Sequence, residues 1–138
     1  MKKDAKIDRL SQVPMFSACS RKDLGTIARY ADELSVEAGT PLVREGAAGR
    51  EFYVLVEGKA AVTRGGREIA TLGPGNYFGE LSLLDGDKRD ASVTATTPAD
   101  LLVLGTREFA TVLEDVPQIT RKLLAGMARR LHELDNAN

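Results

Sequence analysis

Between Glu33 and Leu104 the chain never sustains one hydrophobic period for long, because short β-rich runs alternate with Gly, Pro and Asp. The runs lie at Glu33 to Glu37, Pro41 to Arg44, Phe52 to Glu57, Ala60 to Arg64, Glu68 to Leu72, Ala91 to Thr97 and Leu101 to Leu104. Strands this short and evenly spaced predict a small barrel or jelly roll. Two reversals inside the region are well specified. Arg64-Gly65-Gly66-Arg67 places two glycines where a two-residue hairpin requires positive φ angles, and Glu57-Gly58-Lys59 gives a second turn.

The flanks change period. Ile7, Leu10, Val13 and Phe16 recur every third position, predicting a short amphipathic helix over Ile7 to Phe16 interrupted at Pro14. Ser20-Arg21-Lys22-Asp23 reads as a capping box, and Leu24, Ile27, Ala28 and Ala31 predict a helix from Arg21 to Ala31. After the β-rich region, Thr106-Arg107-Glu108 opens a helix with Phe109, Val112, Leu113 and Val116 on one face. Asp115-Val116-Pro117-Gln118 then breaks it and starts another, with Ile119, Leu123, Leu124, Met127, Leu131 and Leu134 as its apolar face.

One stretch of the β-rich region carries chemistry. Phe78-Gly79 ends a strand, Leu81, Leu83 and Leu84 make one apolar turn, a polar loop follows, and Ala91, Val93 and Ala95 resume the alternation. After Gly79 the backbone can approach a ligand with no Cβ in the way, and the first N–H groups of a short helix near Glu80 lack intrahelical partners. Such donors suit a phosphate. Arg89 adds a planar fork that matches two phosphate oxygens, while Glu80 can only accept and suits a sugar hydroxyl. Taken alone, Glu80 and Arg89 describe a surface ion pair beside a loop; taken with the stretch, they describe a site for a ribose phosphate.

Composition narrows the other classes. The 138 residues suit one domain, and 19 basic against 20 acidic residues leave a net charge of -1, which gives nucleic acid no bulk attraction. The basic start Met1-Lys2-Lys3-Asp4 has no apolar core after it, and the longest apolar runs, Phe52 to Val56 and Leu101 to Leu104, fall far short of the roughly 20 residues that span a bilayer. A cytoplasmic protein with no membrane partner is expected. The single Cys19 cannot form an internal disulfide and agrees with a reducing compartment. His132 is the only His, so neither a cupin-like metal set nor a Ser/His/Asp triad can be assembled, and no metal and no enzyme activity is expected. Gly73-Pro74-Gly75-Asn76-Tyr77-Phe78-Gly79 lacks the spacing and the long following helix of a dinucleotide fingerprint.

The stretch from Phe78 to Val93 resembles the phosphate-binding cassette of cyclic nucleotide-binding domains, whose pattern runs Phe-Gly-Glu-Leu-Ala/Ser-Leu-Leu, a short loop, Pro-Arg, two small residues and Ser/Thr-Val. Phe78 to Leu84, Arg89 and Ala91 to Val93 fit. Lys88 stands where the family often has Pro, and Asp90 where it usually has Ala, Ser or Thr. Gly39-Thr40-Pro41 through Glu45-Gly46 to Phe52-Tyr53-Val54-Leu55-Val56-Glu57-Gly58 also looks like the first half of the family's barrel, so the similarity covers Val13 to Leu134.

The resemblance implies an α+β fold: a β-roll, a jelly-roll-like barrel of short antiparallel strands over residues 33–105 with the cassette at 78–93. N-terminal helices within 1–32 and a hinge helix plus a terminal helix over 106–135 flank it, and 1–138 read as a single stand-alone domain. It assigns the ribose 2'-hydroxyl to Glu80 and the exocyclic phosphate oxygens to Arg89, with Phe78, Gly79, Leu81, Ser82, Asp90 and Ala91 completing the ligand-binding set. The implied function is reversible, non-catalytic regulation by a cyclic nucleotide. cAMP is favoured over cGMP because cGMP-preferring members commonly carry Thr directly after the Arg, where this chain has Asp90.

Asp90 also defines the alternative, since a carboxylate beside a phosphate has the wrong charge. In that reading the barrel has lost nucleotide binding and serves as a protein-interaction module through its helices. In the binding reading, Lys88 or Arg89 is expected to hold the carboxylate aside. A transcription factor is disfavoured, because the chain stops where the family's helix-turn-helix would begin and Arg129 and Arg130 read as the solvated end of a helix. The apolar face of the terminal helix is the expected surface for a homodimer or a partner protein. The last aromatic is Phe109, so Leu131, Leu134 or a residue of another subunit would have to cover the base.

Overall fold

The computed structural model describes residues 3–137, so the basic start read at Met1 and Lys2 lies outside the described residues. The chain enters through α1 (Lys3–Ser11), one 3-10 turn at Pro14–Phe16, and α2 (Arg21–Tyr30). The interruption expected at Pro14 thus divides the segment from Ile7 to Phe16 into two pieces. Pro14 drives Val13 into an extended conformation (φ -80, ψ 123), which no α-helix can continue through. Ile7, Leu10, Val13 and Phe16 are nevertheless all buried, because a spacing of three is also the period of a 3-10 turn. The capping box of α2 forms: the Asp23 N–H donates to Ser20 Oγ at 3.1 Å and the Ser20 N–H donates to the Asp23 carboxylate at 3.4 Å.

Eight strands follow: β1 (Asp32–Val36), β2 (Pro41–Val43), β3 (Glu51–Glu57), β4 (Ala60–Arg64), β5 (Arg67–Leu72), β6 (Tyr77–Phe78), β7 (Ser92–Ala95) and β8 (Ala99–Gly105). They make two antiparallel four-stranded sheets, ordered β1-β8-β3-β6 and β2-β7-β4-β5, which face each other as a β-roll. The roll interior holds Tyr53, Leu55, Ala60, Phe78, Val93 and Leu101. Alternate residues of β3 and β8 point the other way, so Phe52, Val54, Leu102 and Leu104 pack on Leu10, Ile27, Phe109 and Val112. Both faces of β3 are thus buried, which explains its unbroken apolar run. The predicted Gly65-Gly66 hairpin joins β4 to β5 with both residues at positive φ.

Helix α3 (Glu80–Asp85) interrupts the roll between β6 and β7, and α4 (Thr106–Asp115) and α5 (Pro117–Ala137) complete the chain. The predicted break falls at Val116, fully buried and non-helical (φ -129, ψ 78) before Pro117. Of the apolar face expected on α5, only Ile119 and Leu123 are buried; Leu124, Leu131 and Leu134 are 60%, 63% and 60% exposed. The helix packs on α4 and the Pro14–Phe16 turn near its start and then runs past the roll. Among the described residues no helix is long and apolar enough to cross a membrane.

Candidate functional site

Residues 78–82 and 89–91, all predicted from the sequence, line one open cleft of about 420 Å³ between the cassette, strands β4 and β5, and α5. This volume lies within the range of small-molecule sites. Phe78 anchors the cassette to the roll by stacking on Tyr53, with ring centroids 4.9 Å apart and planes within 11°. Leu81 and Leu84 are exposed on α3, whereas Glu80, Ser82 and Arg89 are the buried polar groups of the chain's described residues.

Arg89 is held by the protein's own carbonyls. Its Nη1 donates to Gly79 O at 2.9 Å and its Nη2 to Glu51 O at 2.6 Å, and the residue is only 8% exposed. A guanidinium has five N–H donors, so donors remain for an anion. Two glycines make room for it. Gly79 has φ +95, and a Cβ there would come within 2.6 Å of Glu51 O and 2.8 Å of Arg89 Nη1. A Cβ on Gly49 would meet Ser82 Cβ at 2.2 Å and Arg89 Cζ at 2.9 Å. Gly79, expected to let the backbone approach a ligand, also leaves room for the arginine, and so does Gly49, which no sequence pattern marks. The loop behind it is stitched down by the Gly46 N–H donating to Arg89 O at 2.7 Å and the Arg89 N–H donating to Ala47 O at 2.8 Å.

Glu80 is in the opposite condition. It is 5% exposed, and its Oε2 is buried with no hydrogen-bond partner among the described residues. Burial pushes its carboxyl above its ordinary value, against the downward pull of its own backbone N–H, Arg130 and Arg89; Asp90 adds a smaller upward push. Arg130 Nη1 stands 3.9 Å from Glu80 Oε1. Arg130, read from the sequence as a solvated helix end, instead projects into the cleft from the middle of α5. The approach is close: a Cβ on Gly126, one helical turn earlier, would lie 3.0 Å from the Tyr77 hydroxyl. No pattern in the sequence says which face of α5 meets the cleft.

Asp90 is 74% exposed at its side chain, and its carboxylate sits 3.6 Å from Arg64 Nη2. Arg64 Nε also donates to Asp90 O at 2.9 Å. The group that engages the carboxylate is thus Arg64, at the end of the adjacent strand β4, not the neighbouring Lys88 or Arg89 expected from the sequence. An apolar part of the cleft lining is built by Val62, Ile69, Leu72 and Tyr77, none of them expected at the site from the sequence. Leu131 and Leu134, considered as covers for a base, do not line it, and Arg130 is the side chain of α5 that does. Among the described residues no three His, Cys, Asp or Glu are grouped to hold a metal ion.

Comparison with known proteins agrees with this geometry. A family profile described as "Cyclic nucleotide-binding domain" matches residues 33–116. The chain is 33% identical over 127 residues to the cyclic AMP receptor protein of Thermus thermophilus, covering 88% of this chain and 59% of that one. It is 41% identical over 114 residues to the cAMP-dependent protein kinase regulatory subunit of Yarrowia lipolytica, covering 78% of this chain and 29% of the relative. The chain therefore spans only part of the curated relatives it matches. Among solved structures, the catabolite activator protein of Thermus thermophilus superposes with a TM-score of 0.82 at 32% identity, over 90% of this chain and 61% of that chain. A β-roll interrupted by Gly79-Glu80, a clamped arginine at 89 and a matched profile over most of the roll together make this chain a member of the cyclic nucleotide-binding domain family.

Proposed function

We propose that this chain binds a cyclic nucleotide reversibly, cAMP in preference to cGMP, and acts as a regulatory switch and not as a catalyst. The observation that carries the reading is the orphaned Glu80 Oε2, a buried acceptor bordering the same cleft as the clamped Arg89. A buried carboxylate without a donor is costly, and a ribose hydroxyl supplies the missing one. Arg89 offers its remaining N–H groups to the cyclic phosphate. The apolar wall at Val62, Ile69 and Leu72 suits a purine face. The two curated relatives, named for cyclic AMP and for cAMP dependence, support cAMP over cGMP. Calorimetric titration with cAMP, cGMP and 5'-AMP tests the reading: saturable binding in the order cAMP, cGMP, 5'-AMP is expected, and equal or absent binding of all three would reject it.

The switch would work through α5. Arg130 faces Glu80 across the cleft, so a ligand that takes up the Glu80 carboxylate changes what holds this helix near the roll. A ligand can shift an equilibrium only through such differential contacts. The units inferred are the roll over 33–105 with its cassette at 78–93, and the helices of 106–135 as the moving part. Hydrogen exchange of the 117–134 segment should slow on saturation with cAMP, and identical protection with and without ligand would argue for binding without switching.

A second reading has its own observation. Leu124, Leu131 and Leu134 form an exposed apolar stripe on α5, open to a second copy or to a partner protein. A chain that kept this surface but had lost nucleotide binding would act as an interaction module, and failure of the titration would move the assignment there.

A further inference from the structure

Arg64 ends β4 at the lip of the cleft, immediately before the Gly65-Gly66 turn. Its guanidinium grips Asp90 at two points, Nε donating to the backbone carbonyl at 2.9 Å and Nη2 lying 3.6 Å from Oδ2. The same lip is tied a second time: the Gly65 N–H donates to Glu45 Oε1 at 3.0 Å, and the Glu45 N–H donates to Ser92 Oγ at 2.9 Å. Asp90 directly, and Ser92 two residues later through Glu45, are thereby fastened to the end of β4 and the β4–β5 turn. The side chains of Arg64 and Asp90 are 54% and 74% exposed, and an exposed pair of this kind adds little to stability.

Its location gives the pair a different weight. Asp90 directly follows Arg89, and both border the cleft that also holds Glu80. A free carboxylate at 90 would cancel part of the Arg89 field and repel an anion. We infer that Arg64 is a charge-compensating positioning residue of the anion site: it neutralises Asp90 and turns its carboxylate away from the place an incoming phosphate takes beside Arg89. The inference rests on the cyclic nucleotide reading above. A fork that reaches both a carbonyl and a carboxylate fixes the guanidinium plane, which an ammonium cannot do.

A double-mutant cycle separates charge compensation from a simple structural tie. cAMP is titrated into the parent chain, Arg64→Ala, Asp90→Asn and the double variant. None of these changes removes core packing, because both side chains are exposed. Arg64→Ala is expected to weaken cAMP at least about tenfold in the parent background and less than about threefold in the Asp90→Asn background, where no charge is left to neutralise. Arg64→Lys should recover only part of the loss, and raising the salt should narrow the defect of Arg64→Ala. Equal losses in both backgrounds would overturn the proposal, because the bond to the Asp90 carbonyl survives in Asn; so would full affinity in Arg64→Ala. Binding by the parent with an additive cycle rejects the role of Arg64 alone, whereas no binding in any of the four chains rejects the cyclic nucleotide reading and this inference with it.

Discussion

Arg89 and Glu80 border the same cleft and are buried alike, yet one is satisfied and the other is not. The arginine spends two N–H groups on the carbonyls of Gly79 and Glu51 and still has donors left. The glutamate has one oxygen 3.9 Å from Arg130 and the other without a donor. The difference follows from what each group can use. A forked cation finds acceptors in the backbone carbonyls that every loop supplies, but a carboxylate needs donors, and Arg130 comes only to 3.9 Å of Glu80. The Arg89 side is therefore organised in advance, while the Glu80 side holds a desolvation cost that a ligand hydroxyl would relieve.

The strongest way to break the contrast is to remove its satisfied half. Arg89→Ala should weaken cAMP by about 2 to 4 kcal/mol, a factor of about 30 to 1000, because charge-assisted bonds vanish from a partly dry site. Calorimetry that found parental affinity in this variant would remove Arg89 from the phosphate site. Gly79→Ala attacks the same clamp through the backbone. A side chain at φ +95 that also meets Glu51 O at 2.6 Å should cost about 1 to 3 kcal/mol of stability in urea unfolding. A loss below about 0.5 kcal/mol would mean that the clamp yields easily and is not preformed.

Glu80→Gln sharpens the other half and has the smallest expected effect. It should weaken cAMP modestly and leave 2'-deoxy cAMP almost unchanged, since that ligand offers no hydroxyl to the lost acceptor. Equal losses for both nucleotides would contradict the ribose assignment. The free protein gives a second readout. Because the folded-state value of Glu80 is raised, the folded chain holds this proton to higher pH than the unfolded chain does. Its contribution to stability is complete below the ordinary carboxylate value and is lost as pH rises through the raised one. Unfolding free energy of the parent should thus fall with pH in that window, and the slope should flatten in Glu80→Gln; parallel profiles would show that Glu80 does not titrate differently on folding.

Much of this architecture was legible residue by residue, and the legible parts share a physical character. The Ser20–Asp23 capping box, the Gly65-Gly66 hairpin, the break at Val116-Pro117 and the helical turn after Gly79 are decided by neighbours a few positions apart, through steric limits on φ and ψ and through local donors and acceptors. The cassette belongs with them because its glycine, its acid and its arginine lie in one short span. What surrounds that span was not legible. Arg64 reaches Asp90 across 26 positions, Arg89 reaches Glu51 across 38, and Arg130 meets Glu80 only because α5 passes close to Tyr77 at Gly126. Such contacts depend on strand register and on the angle at which a helix leaves the core, and neither is encoded in the period of the residues involved. The local sequence by itself determined the elements and the chemistry of the cassette; the tertiary structure alone decided which distant charges face it, because electrostatic partners are chosen by distance in space and not along the chain.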